Sequence, residues 1–440
     1  METLAAAPVS LFGAAAAMHR AQPSATAVRV DAQTLRARIE TLSTHGRPVG
    51  GTFADGVSRV AYSDADVQGR AYVIDLMRAA AIEPSIDPAG NIFGQRAGTD
   101  PTLPPILFGS HIDSVPTGGN FDGDLGSLAA LGVLEACTRA GIRTRHPLEM
   151  VVWSAEEGVA FGRGLAGSRI VAGDFKPADL DQVWNGMTRA DAIRRIGGRP
   201  DRISDAIRSK GAHHGYLELH IEQGATLERQ RVSVGVVEGI VAIQRYDALI
   251  TGAANHAGTT PMAERQDALI AASHLTLAVR EIVTAQPGRQ VGTVGHLDVE
   301  PNAPNVIPGT VRLTIELRDL SPETLASLGE TIRRRADQIA SATRTTIHLT
   351  SLGGNPPAVA ATNVQRVIEQ ASARLGLTSA RLPSGAGHDA QMMAQLSPMG
   401  MIFVPSIAGI SHSPKERTSW EDCANGANVL LQTVLDLDRV

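Results

Sequence analysis

The chain has 440 residues, 40 Lys+Arg against 45 Asp+Glu for a net charge of −5, and only 2 Cys. That length accommodates two or three domains with well-buried cores. The mild acidity without a long basic run argues against nucleic acid as a partner. Two cysteines, Cys137 and Cys423, are too few for a disulfide framework, and no apolar run reads as long enough to span a bilayer.

Residues 1–27 differ in character from the rest of the chain. Residues 4–18 are alanine-rich and apolar, and 21–28 are small and polar. The segment reads as a leader or a disordered extension. It lacks the basic start of an export signal, so the expectation is a cytoplasmic protein, with an exported form as the alternative.

The fold begins to show at Ile106-Leu107-Phe108, a short apolar run that reads as a buried strand. It leads into residues 109–123, which carry His111, Asp113 and Asp122 in a glycine-rich loop. The glycines allow a tight return of Asp122 toward His111, and a histidine with a carboxylate on converging backbone suits a divalent cation. A Leu- and Ala-rich helix is expected over 125–140. A second buried strand is expected over 148–153, ending in Glu156 and Glu157, two adjacent carboxylates that can face different ways on an irregular turn. In open α/β sheets, working groups gather at the carboxyl ends of strands.

Over 216–224, alternation places Leu217, Leu219 and Ile221 on one face and Glu218, His220 and Glu222 on the other, which fits a half-buried strand. The region 238–353 changes character. Strands are expected at 241–250, 292–299, 310–317 and 345–349, with helices at 263–283 and 322–339. That βαββαβ order is the ferredoxin-like sandwich. Gly353, Gly354 and Pro356-Pro357 read as one hinge. The first domain resumes with a helix at 363–375, and a last strand from Met401 runs into a loop presenting His412. The fold class is therefore α/β: a doubly wound domain, 28–237 and 354–440, interrupted by an inserted ferredoxin-like domain, 238–353.

With its histidines and carboxylates at four strand ends, the chain resembles zinc-dependent amidohydrolases of the hydantoinase/carbamoylase kind. These cleave N-carbamoyl amino acids, allantoate and related ureido acids, within the aminoacylase–carboxypeptidase superfamily of two-metal peptidases. The resemblance runs from about Val28 to the C-terminus. It rests on residues 109–123, 156–158, 219–224, 255–262, 301–309, 384–389 and 409–412.

The resemblance implies two divalent cations, Zn²⁺ or alternatively Mn²⁺ or Co²⁺, bridged by Asp122. His111 and His220 would complete the first set, and Glu157 and His412 the second. Glu156 is implied as general base, Asp113 as the carboxylate that orients a ligating histidine, and His256 as the group that polarises the scissile carbonyl. Gln223, Asn305, Arg318 and His388 are implied as substrate contacts, Arg318 and Asn305 at the substrate carboxylate. It further implies that 28–237 and 354–440 form the catalytic di-metal domain, that 238–353 is a lid and dimerisation domain, and that the protein is a homodimer in which lid residues reach the partner's site. The activity implied is release of amino acid, ammonia and CO2 from N-carbamoyl-L-amino acids. Allantoate amidohydrolase and β-ureidopropionase are alternatives, and a catalytically inactive metal- or carboxylate-binding relative is the alternative from another class.

Overall fold

A computed structural model describes residues 28–439; the leader or extension expected over 1–27 lies outside them. Nine strands form the main sheet. Its centre consists of Leu148–Trp153, Ile106–His111, Gly215–Ile221 and Met399–Val404, side by side in that order and parallel to one another. Every residue of these four strands is buried. Sheets covered on both faces read as continuous apolar runs, and these strands do so.

Alternation divides the centre between two cores. Ile106, Phe108, Met150, Val152, Leu217 and Leu219 pack with the helices Ala32–Leu42, Asp124–Arg139, Thr362–Arg374 and Trp420–Leu437. Leu107, Val151, Trp153 and Tyr216 face the other way, into a core with Leu165, Val171 and Met392. That second layer explains one departure from the sequence expectation. The strand Gly215–Ile221 is buried on both faces, because the short helix Ala390–Met393 covers its polar side and donates the Ala390 N–H to Glu218 at 2.9 Å.

The inserted region has its own sheet and core. Its four strands, Ala242–Thr251, Val291–Glu300, Thr310–Asp319 and Thr346–Asn355, are all antiparallel, with the second beside the third, the third beside the first and the first beside the fourth. Helices Ala268–Ala285 and Pro322–Thr343 pack on the sheet through Leu275, Val279, Leu328 and Ile332. This is the ferredoxin-like order. The first helix starts at Ala268 rather than 263, because Asp267 caps it by accepting the N–H groups of Leu269 and Ile270.

Two further expectations are corrected. Gly353 and Gly354 do not form the hinge; they lie inside the strand Thr346–Asn355 at a register shift, and the chain leaves the sheet only at Pro356-Pro357. Gly354 is required there because a Cβ would overlap the Ile243 carbonyl. Helix Ala268–Ala285 is long and apolar enough, by composition, to cross a membrane. Its buried residues, among them Leu275, Val279 and Ile282, form the core of the lid.

Candidate metal centre and active site

The four central strands end at the same edge, and side chains carried at those ends and on the loops that follow meet there. His111 is the final residue of its strand, and Asp122 returns to it through the glycine loop. Gly123 has φ +68°, and a Cβ there would lie 2.5 Å from the His111 ring, so glycine is what permits the approach. The two oxygens of Asp122 face different partners. Oδ1 lies 3.1 Å from His220 Nε2 and 3.5 Å from His111 Nε2. Oδ2 lies 3.4 Å from His412 Nε2, which in turn is 3.3 Å from Glu157 Oε2. One group is thus His111, Asp122 and His220, and the other Asp122, Glu157 and His412, each with ligand atoms within 4.8 Å of one another.

The imidazoles of the first group are oriented from behind. His220 Nδ1 lies 2.9 Å from the Ile221 carbonyl, and His111 Nδ1 lies 3.0 Å from the Asp113 carbonyl. Each Nδ1 therefore carries the proton and each Nε2 faces Asp122. Asp113 hydrogen-bonds His111 through its backbone carbonyl, while its carboxylate Oδ1 lies farther off, 3.8 Å from Nδ1. The carboxylate accepts the N–H of Glu156 at 3.0 Å and of Glu157 at 3.2 Å, and so fixes the turn that carries both glutamates. Glu156 Oε2 lies 3.7 Å from His111 Nε2.

Charge balance at this cluster favours cations. Burial, reinforced by Glu157 and Asp389, holds the Glu156 carboxyl well above the ordinary carboxylate range. Burial and then Asp122 push Glu157 up to about 8. Burial would raise Asp122 too, but His220, His111 and His412 outweigh it and hold it well below its usual value. The His412 imidazole is raised to about 9, first by its hydrogen bond to Asp122. At neutral pH the cluster thus holds protons that divalent cations would displace, since ligation takes the ionised carboxylate and the neutral imidazole. Glu157 Oε1 is buried with no hydrogen-bond partner among the described residues. The residues present therefore fit a pair of cations, and an all-nitrogen-and-oxygen donor set suits Zn²⁺, Mn²⁺ or Co²⁺.

The cluster lines a cavity of about 280 Å³ that also meets Gln223, Arg318 and His388. Gln223 Nε2 donates to Asp122 Oδ2 at 2.8 Å, so it sits on the bridging carboxylate. His388 is buried, with Nε2 2.9 Å from Ser384 Oγ and its ring edge-on to His220 at 4.5 Å. Arg318 reaches the cavity from the lid, held by Glu316 at 2.7 Å and by the Gly385 carbonyl. The lid residues His256 and Asn305 do not line this cavity. Both are exposed, His256 on a two-stranded ribbon, Asn255–His256 with Val306–Ile307, and Asn305 just before its second strand. His256 Nδ1 accepts the N–H of Gly258 at 3.0 Å and of Thr259 at 3.2 Å, which leaves Nε2 as the donor of the neutral ring.

Two acidic residues escaped the sequence reading as parts of this site. Glu218, two residues before His220, accepts from Ser110 Oγ at 2.7 Å and Tyr216 Oη at 3.2 Å behind the cluster. Alternation placed it on the face of His220, which was the available signal. Glu416 accepts the N–H of Phe121 and Asp122, and no spacing pointed to it.

Paired cation groups at the strand ends of a doubly wound sheet, with a ferredoxin-like insertion, define a metal-dependent hydrolase. Residues 107–436 match the model of Peptidase family M20/M25/M40, and the chain belongs to that family. It is 40% identical over 390 residues to the N-carbamoyl-L-amino acid amidohydrolase of Geobacillus stearothermophilus, covering 88% of this chain and 95% of the relative. It is 36% identical to the ureidoglycolate hydrolase of Arabidopsis thaliana, over 94% of this chain and 88% of that one. Among solved structures, a hydantoinase/carbamoylase family amidase from Burkholderia ambifaria aligns with TM-score 0.86 at 33% identity, over 93% of this chain and 98% of that one.

Proposed function

We propose that the chain hydrolyses the carbamoyl C–N bond of N-carbamoyl-L-amino acids, giving the amino acid, ammonia and CO2. The observation that carries this reading is the division of Asp122 between two ligand groups, with Glu156 beside them and the Arg318 guanidinium across the same cavity. Two cations, Zn²⁺ or alternatively Mn²⁺ or Co²⁺, held by His111, Asp122 and His220 and by Asp122, Glu157 and His412, would polarise the carbonyl and lower the pKa of water.

The rest falls to the chain's own side chains. Glu156, in its ionised form, takes the proton of the attacking water and returns it to the leaving nitrogen. Asp113 keeps Glu156 and Glu157 apart in role by fixing their backbone. Arg318 pairs with the substrate carboxylate through its planar fork. Gln223 and His388 line the ureido end. His256, with Nε2–H free to donate, stabilises the developing oxyanion, and Asn305 adds a contact to the carboxylate. Because those two stand outside their own chain's cavity, they serve the site of a second copy, and the working enzyme is a homodimer whose lid excludes water when it closes.

A second reading, cleavage of ureidoglycolate or allantoate, is favoured by the similarity to the Arabidopsis relative. One assay separates them: ammonia release from a panel of N-carbamoyl-L- and D-amino acids, N-carbamoyl-β-alanine, allantoate and ureidoglycolate, with and without a chelator. The reading expects fastest release from an N-carbamoyl-L-amino acid and its loss on chelation. Release confined to allantoate or ureidoglycolate would move the chain to the second reading. Chelator-insensitive release would refute both.

A further inference from the structure

The two cation groups are held in place by different means. His111 and His220 leave the ends of buried strands, and their rings are almost fully buried. His412 sits on a loop at φ +52°, a left-handed conformation that disfavours a non-glycine residue, and its ring is 47% exposed. The bridging Asp122 is likewise on a loop. Something must hold these two loops in register, because no shared strand does.

We infer that Glu416 is the positioning residue for the second cation group, tying the Asp122 loop to the His412 loop. It is 1% exposed. Its Oε1 accepts the N–H of Phe121 at 3.0 Å and of Asp122 at 3.1 Å, and its Oε2 accepts the hydroxyl of Ser411, the neighbour of His412, at 2.8 Å. The Ser411 hydroxyl is also within 3.1 Å of Asp122 Oδ2, and its single hydrogen can serve only one of the two carboxylates at a time. The approach of Glu416 depends on Gly119, where a Cβ would overlap the carboxylate. One side chain thus closes a contact across some 295 residues of chain. Strand geometry sets His111 and His220, the two histidines of the first group, without it.

This inference rests on the two-cation reading, and the test keeps the two apart. Metal-free wild type, Glu416→Gln, Glu416→Ala and Ser411→Ala are titrated with Zn²⁺ alone by calorimetry and equilibrium dialysis, with near-ultraviolet circular dichroism as a check on folding. Wild type binding fewer than two ions per chain would overturn the two-cation reading itself, and this inference with it.

With two ions bound, the second dissociation constant in Glu416→Ala should rise roughly 10- to 100-fold while the first stays put, the usual size of a support-residue effect. Glu416→Gln should recover most of the loss, since its amide oxygen can accept from Phe121 and Asp122 and its NH2 can donate to Ser411. Ser411→Ala should raise only the second constant, by less, and it carries the test alone if Glu416→Ala does not fold. Both constants rising together in the folded variants, or neither moving, would overturn the inference.

Discussion

His111 and His220 leave the ends of fully buried strands, with a backbone carbonyl behind each ring, whereas His256 and Asn305 stand exposed on and beside a short two-stranded ribbon of the lid, outside the cavity they are expected to serve. The first half of the site is thus prebuilt by the core, and its side chains cannot move far without disturbing the sheet. The second half is rigid only locally, and in the proposed mechanism it would reach the chemistry by the placement of a whole domain or a second chain. Activity should therefore fail in two distinct ways, by loss of the cluster and by loss of its assembly.

The largest effect is expected within the cluster. Glu156→Gln should keep both cations and lower kcat by roughly 10²- to 10⁴-fold, the range for a general base. Metal content by mass spectrometry and steady-state kinetics on the same preparation check it. An empty cluster, or near-normal turnover, would remove Glu156 from that role.

The lid half should cost somewhat less. His256→Ala should lower kcat about 10²- to 10³-fold, the range for one oxyanion donor, with metal content unchanged. The comparison sharpens when the two defects are combined. If His256 acts across subunits, mixing His256→Ala with Glu156→Gln under conditions of subunit exchange restores turnover that neither parent shows. Mixed dimers that stay inactive would place His256 in its own chain's site or outside the mechanism.

The same contrast governs what was legible in the sequence. His111, Asp122, Glu157, His220 and His412 could be picked out because strands end in one place, so residues far apart in sequence meet wherever several strand ends carry ligand-type side chains. Asp113 was picked for its spacing to His111, but the carboxylate turns to the Glu156 and Glu157 N–H groups, and spacing alone does not tell a carbonyl from a carboxylate. Glu218 read as half-exposed because the helix that covers it lies 172 residues away. Gly353 and Gly354 read as a hinge because glycine signals a break only until a pairing partner, here the Ala242–Thr251 strand, is known. What escaped was in each case set by a neighbour distant in sequence.

A smaller effect is expected where the lid meets the cavity. Arg318 is held by Glu316, which also binds Arg245 at 2.6 Å, so its fork is fixed in position. Arg318→Lys keeps the charge but loses the paired N–H geometry. KM for an N-carbamoyl amino acid should rise roughly 10- to 100-fold, the worth of a hydrogen bond to a charged group, with a smaller change in kcat. An unchanged KM would place the carboxylate contact elsewhere.

The smallest effect lies far from the site and concerns stability alone. His213 is 2% exposed, and its Nε2 lies 2.5 Å from Arg208 Nη1, so the ring must stay neutral to accept. Burial, and then Arg208, push its pKa down to about 3. The unfolded chain binds a proton there below about 6.5 and the folded chain does not, so the unfolded state gains as pH falls through that window. Stability should therefore drop by up to about 1.4 kcal/mol per pH unit from this group between its unfolded and folded values. His213→Gln can still accept from Arg208 but does not titrate, so its urea midpoint should fall less steeply than wild type between pH 6.5 and 4. Parallel slopes for the two proteins would mean that the folded chain takes up the proton after all, and that Glu149, 3.7 Å from the ring, offsets the burial.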